Sequence, residues 1–97
     1  MCKLSRRETE VAVEAHLHKR VKILGGLCIK LSPIGNKGLP DRLLVLPGGR
    51  MVFVELKKPT GVLAVLQGWW ARRLNHLGAP YAALKSKQEV DTFVDSL

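Results

Sequence analysis

Apolar residues along this chain recur with two alternating periods, and the points where the period changes divide it into seven elements. Val13, Leu17, Val21 and Leu24 fall at helical spacing. Ser5-Arg6-Arg7-Glu8 ahead of them has capping-box spacing and Gly25-Gly26 supplies a stop, so a helix of about five turns is predicted up to Leu24. Leu27–Leu31 reads as a short strand, and the turn formers from Ser32 to Pro40 as a loop. Asp41–Leu46 and Met51–Lys57 are β-rich runs on either side of Pro47-Gly48-Gly49, which predicts a hairpin. Both runs are apolar on two faces, the pattern of central strands covered on each side. Pro59-Thr60-Gly61 opens a second helical stripe of Leu63, Leu66, Trp70, Leu74 and Leu77, closed by Gly78 with Pro80 just beyond. Tyr81–Leu84 is a short fourth strand. Ser86 and Glu89 repeat the capping-box spacing ahead of a last helix bearing Val90, Phe93, Val94 and Leu97. The order αβββαβα predicts an α/β fold, a mixed sheet with helices on both faces. A chain of 97 residues leaves room for one domain, taken as 1–97.

Polar residues set into this apolar pattern carry the chemistry. Glu55 and Lys57 end the third strand and share a face with Phe53. A carboxylate beside a valine-rich strand is costly to bury unless paired. Taken alone, Glu55 could equally end the strand in water or pair with Lys57. Asp41, at the start of the preceding strand, comes level with both across the hairpin. Two such acids suit a hard divalent cation, Mg²⁺ with Mn²⁺ as a substitute, and a lysine beside them suits orienting a water or holding a phosphate oxygen. This juxtaposition depends on register. A two-residue turn at Gly48-Gly49 would pair Asp41 with Leu56 and turn the acids to opposite faces, so an odd loop or a bulge is predicted. Glu14, on the same helix face as Leu17 and Val21, and Gln67, between Leu66 and Trp70, are further polar residues at stripe edges. A buried glutamine needs partners for both ends of its amide.

Charge narrows the partner. Lys and Arg number 16 against 8 Asp and Glu, a net +8, which points to a polyanion. The longest uncharged stretches are far shorter than the ~20 residues of a membrane span, and no apolar segment follows the basic start as in a secretory signal. Cys2 and Cys28 have no metal-ligand or disulfide spacing, so an intracellular, cytoplasmic setting is the expectation. His16, His18 and His76 form no zinc pattern and are expected at the surface or against phosphates. Lys37, Arg42, Arg50, Lys58, Arg72 and Arg73 are the candidates for phosphate contact with a nucleic acid, together with Lys57. Aromatic content of 5% gives little support to stacking on single strands, so duplex or branched DNA fits better. Of the adjacent Trp69 and Trp70, about 100° apart on a helix, the core is expected to bury Trp70. Trp69 is left for a wide core face under the sheet or for a dimer contact.

Leu39-Pro40-Asp41, a hairpin, then Val54-Glu55-Leu56-Lys57 resembles the signature of the PD-(D/E)XK nucleases. More narrowly, the ordered set Glu14, Gly25-Gly26, Gly38-Leu39-Pro40-Asp41-Arg42, Val54-Glu55-Leu56-Lys57-Lys58-Pro59 and Leu66-Gln67 resembles the virus-type replication-repair nuclease (VRR-NUC) domain from about Glu10 to Val94. The resemblance implies a restriction-endonuclease-like αβββαβ core. It makes Asp41, Glu55 and the Leu56 carbonyl the metal ligands and Lys57 the catalytic lysine. Glu14 matches the family's helix-one acid, with Glu10 the less favoured alternative, and Gln67 its helix-two glutamine. It further implies Mg²⁺-dependent hydrolysis of phosphodiesters in branched DNA such as four-way junctions, by a homodimer. Two other classes stay open: a basic DNA-binding module with a non-catalytic site, and a subunit of a larger replication or repair assembly.

Overall fold

A computed structural model describes residues 9–32, 38–56 and 62–97, with the side chains of residues 62 and 63 set aside. Chain order is α1 (Glu10–Ile23), β1 (Leu27–Lys30), β2 (Arg42–Leu46), β3 (Arg50–Glu55), α2 (Val62–His76), β4 (Tyr81–Ala83) and α3 (Lys87–Asp95). All seven expected elements are present in the expected order. Helix α1 starts later than its pattern suggests. Thr9 is extended, and its side-chain oxygen accepts the Ala12 N–H, so the cap is Thr9. The predicted Ser5–Glu8 box lies outside the described residues.

The glycine pair after α1 has two separate tasks. Gly25 takes φ +87° and its N–H returns to the Lys22 carbonyl, while the Gly26 N–H returns to Val21, which together make a Schellman end. Gly26 is then pressed against β2: a Cβ there would lie 2.7 Å from the Val45 carbonyl oxygen. The first glycine turns the chain and the second lets β1 start close against its neighbour.

The strands form one sheet in the order β1-β2-β3-β4. The first two pairings are antiparallel, and β3–β4 is parallel. A parallel neighbour requires a crossover, and α2 supplies it. Helices α1 and α3 cover one face. There Val13, Leu17 and Val21 of α1 and Val90 and Val94 of α3 form one buried cluster with Leu44, Leu46, Val52, Val54, Leu56 and Leu84. Side chains bind the two helices together: Arg20 contacts Asp91 and Asp95, and His16 Nε2 lies 2.7 Å from Asp91. His16, expected at the surface or against phosphates, thus has a carboxylate partner on α3. Ser86 caps α3 by accepting the Glu89 N–H. The Glu89 carboxylate reaches back to the N–H of Lys85, one residue earlier than a standard capping box.

The opposite sheet face is covered less completely than the sequence pattern suggests. Leu27, Ile29 and Met51 are 62, 41 and 53% exposed. On α2 only Leu74 is buried among the described side chains; Trp70 is half-buried rather than enclosed, and Leu77 is exposed. Trp69, 47% exposed, stands edge-on to Trp70 with ring centroids 5.1 Å apart. Helix α2 is met near Leu66 and Gln67 by the loop that leads into β2. Gly38 has φ +87°, and a Cβ there would lie 2.5 Å from Leu66 Cβ and 2.8 Å from the Leu66 carbonyl carbon. Gly38→Ala is therefore expected to lower stability by about 2–4 kcal/mol, from left-handed strain plus overpacking. An unchanged denaturant midpoint would show that loop and helix part without cost.

Candidate active site

The hairpin turn decides whether a site exists. Pro47-Gly48-Gly49 is a three-residue turn, with Gly48 and Gly49 at φ +84° and +79°. It sets the register Leu46↔Arg50 through Arg42↔Val54. One step further, Asp41 stands opposite Glu55 on the same face, as the odd loop requires. The Leu31 N–H donates to the Asp41 carbonyl and extends the β1–β2 ladder to this point.

Asp41 and Glu55 then meet in little water. The Leu56 N–H donates to Asp41 Oδ1 at 3.1 Å. Asp41 Oδ2 is buried and accepts no hydrogen bond; a guanidinium nitrogen of Arg42 lies 3.4 Å away. Glu55 is 6% exposed. Burial, and next the charge of Asp41, push its carboxyl up to about 7, against the partial relief of Lys85 and the Asp41 N–H. Two like charges drawn together out of water, one with an unsatisfied oxygen, are a donor set suited to a cation. Mg²⁺ characteristically binds one or two carboxylates and keeps several waters, so the pair fits it. Among the described residues no group of three or more His, Cys, Asp or Glu is gathered for a metal.

Arg42 departs from expectation. Expected at the DNA surface, it is 2% exposed, with its guanidinium 2.7 Å from Glu14 Oε2 and donating to the Asp41 carbonyl oxygen at 2.9 Å. A buried cation cannot meet duplex phosphates; here it braces the strand that carries Asp41 against α1. Glu14 is accordingly engaged by Arg42. Glu10, the less favoured helix-one acid, is close enough to Glu55 for its charge to raise that carboxyl. Gln67 is half-buried, and its Nε2 donates to the Tyr81 hydroxyl. Lys57, Lys58 and Lys37 lie outside the described residues.

The remaining basic candidates are dispersed. Arg50 is exposed at the hairpin end, about 17 Å of strand from Glu55, and Arg72 and Arg73 are exposed on α2. Cys28 is half-buried with its thiol pushed up to about 11, chiefly by burial, so it stays protonated. Tyr81 and Lys85 were not anticipated. The signal for both is the parallel register, which places Ala83 opposite Glu55 and so sets its i±2 neighbours on the acids' face.

A mixed sheet whose central hairpin ends in two converging carboxylates, braced by an arginine and flanked by a helix glutamine, is the framework of a PD-(D/E)XK-type nuclease domain. A solved structure described as "VRR_NUC domain" superimposes with a TM-score of 0.75 at 31% identity, covering 89% of this chain and 94% of that one. The chain belongs to the VRR-NUC family. A curated protein of Acyrthosiphon pisum secondary endosymbiont phage 1, named "Putative nuclease p44", is 44% identical over 50 residues, or 52% of this chain. The chain spans about half the length of that relative, 54%. No family model matches the sequence. No helix among the described residues is long and apolar enough to cross a membrane.

Proposed function

We propose that this chain is a divalent-metal-dependent DNA endonuclease, selective for branched substrates such as four-way junctions and acting as a homodimer. The observation that carries the reading is the convergence of Asp41 and Glu55, with Asp41 Oδ2 buried and accepting no hydrogen bond. Asp41, Glu55 and the Leu56 carbonyl would hold Mg²⁺ or Mn²⁺. When bound, the ion supplies Lewis-acid polarisation of the scissile phosphate and a lowered pKa for a coordinated water. In the metal-free chain the Glu55 carboxyl lies near 7, so binding of the ion would displace a proton from it. Lys57 and Gln67 would orient the attacking water in line with the leaving oxygen. Arg42 and the Leu56 N–H keep Asp41 in place. Affinity for DNA comes from the net +8 charge, through Arg50, Arg72 and Arg73 together with Lys37 and Lys58. The open apolar face at Leu27, Ile29 and Met51, together with exposed Trp69, supports the dimer.

One experiment tests the reading. Linear duplex, flap, fork and four-way junction are incubated with Mg²⁺, Mn²⁺ or EDTA, and mass is measured by light scattering on the same sample. Metal-dependent cutting of the junction above linear duplex, by a dimer, is expected. Binding without cutting in any metal would reduce the chain to a DNA-binding module, and a monomer cutting junctions at full rate would remove the dimer.

A further inference from the structure

We infer that Tyr81 is a positioning residue of this site: its hydroxyl holds the Gln67 amide on the sheet face that carries the two carboxylates. The inference rests on the nuclease reading above and adds a residue that the family motif does not contain. Tyr81 stands opposite Phe53 in the parallel register, and Ala83 opposite Glu55, so its ring lies on the face that carries Asp41 and Glu55. Gln67 Nε2 donates to the Tyr81 oxygen from α2. Gly38 admits the close approach that brings this turn of α2 to the loop preceding Asp41.

The two ends of a glutamine amide are chemically opposite, a carbonyl acceptor and a two-proton donor, and they exchange places by a half-turn of the terminal torsion. With Nε2 held by the phenol, the carbonyl end is the one left to accept from a water or an ammonium group at the acids. Without the hydroxyl, the amide loses the partner that holds it on this face, and its rotamers spread to positions that no longer present it to the acids. The phenol is suited to holding rather than attacking. Burial first, then the charge of Glu55, raises its pKa, so it remains neutral and is no phenolate nucleophile.

Tyr81→Phe keeps the ring and removes only the hydroxyl. The test compares wild type, Y81F, Gln67→Ala and the double variant on the best-cut junction, reading kcat, KM and the Mg²⁺ concentration for half-maximal rate. Y81F is expected to lower kcat about tenfold, with KM and the Mg²⁺ requirement unchanged, and to add nothing when Q67A is already present. A purely structural tyrosine would instead lower thermal stability and act independently of Gln67. Wild-type kcat in Y81F, a change confined to KM, or effects that multiply in the double variant would overturn the inference while the nuclease reading stands. If wild-type protein cuts no substrate in any metal, the nuclease reading fails first and takes this inference with it, an outcome visible before any variant is read.

Discussion

Asp41→Asn is expected to slow cleavage on the order of a thousandfold and at the same time to raise the melting temperature of the metal-free protein near pH 8. The substitution is nearly isosteric. Its side-chain carbonyl can still accept the Leu56 N–H, which Asp41 Oδ1 now takes at 3.1 Å, so that donor keeps its acceptor, while the new amide NH2 takes the buried place of Oδ2. Arg42 loses a neighbour at 3.4 Å but keeps Glu14 at 2.7 Å and the backbone carbonyl at 2.9 Å. What disappears is one negative charge, the second largest cause of the raised carboxyl at Glu55. That charge would attract the proposed cation and, in the cation's absence, lies against the Glu55 carboxylate. Activity and stability are thus opposed at one atom, the expected trade-off for a site built of like charges. Cleavage of a four-way junction in Mg²⁺ and thermal melting in EDTA measure the two halves. A D41N protein that cuts at wild-type rate would remove Asp41 from the site. One destabilised by several kcal/mol would mean that the carboxylate is a structural group.

The route to this site was legible wherever local chemistry and counting decide the outcome. Three residues in Pro47-Gly48-Gly49 fix which face Asp41 takes, and the register can be worked out from the sequence by parity alone. Arg42 could not be read that way. Its strand position points it inward, but an arginine is tolerated there only because Glu14, 28 positions earlier, arrives from α1, and no local pattern reports that meeting. Tyr81 was hidden for a related reason. A three-residue strand has too little periodicity to show a face, and only the parallel pairing with β3 aligns it with Glu55. At the start of α1 the capping bond is made by Thr9, a hydroxyl residue directly followed by Glu10, which the Ser5–Glu8 spacing did not point to. The helical stripe on α2 overstated burial because spacing defines a face but not how much of a sheet lies under it. Trp70 and Leu77 show the difference.

Metal-free protein is expected to lose stability as pH rises from about 4.5 to beyond 7, and Mg²⁺ to restore it at the alkaline end. Glu55 has a carboxyl near 7 in the folded chain against an ordinary 4.5. Between those values the folded state holds a proton that the unfolded state has released, so the stabilisation is complete below 4.5 and is lost as pH climbs through 7. The displacement corresponds to roughly 3 kcal/mol, a drop in melting temperature on the order of 10 °C for a domain this small. Asp91 titrates on the other side: its bonds to His16 and Arg20 hold it below the usual carboxylate range, so its contribution is lost only as pH falls into the acid range. The two effects therefore occupy separate windows. A divalent cation competes with the proton for the Glu55 carboxylate, so added Mg²⁺ should raise the melting temperature strongly at pH 8 and hardly at pH 5. Glu55→Gln should flatten the neutral-pH slope, abolish the Mg²⁺ response and melt higher than wild type at pH 8 in EDTA. Melting curves over a pH series with EDTA or Mg²⁺ measure all of this. A metal-free protein whose stability rises between pH 5 and 8 would mean that Glu55 is ionised at ordinary cost, and the two carboxylates would then not be the strained pair from which the metal site is inferred.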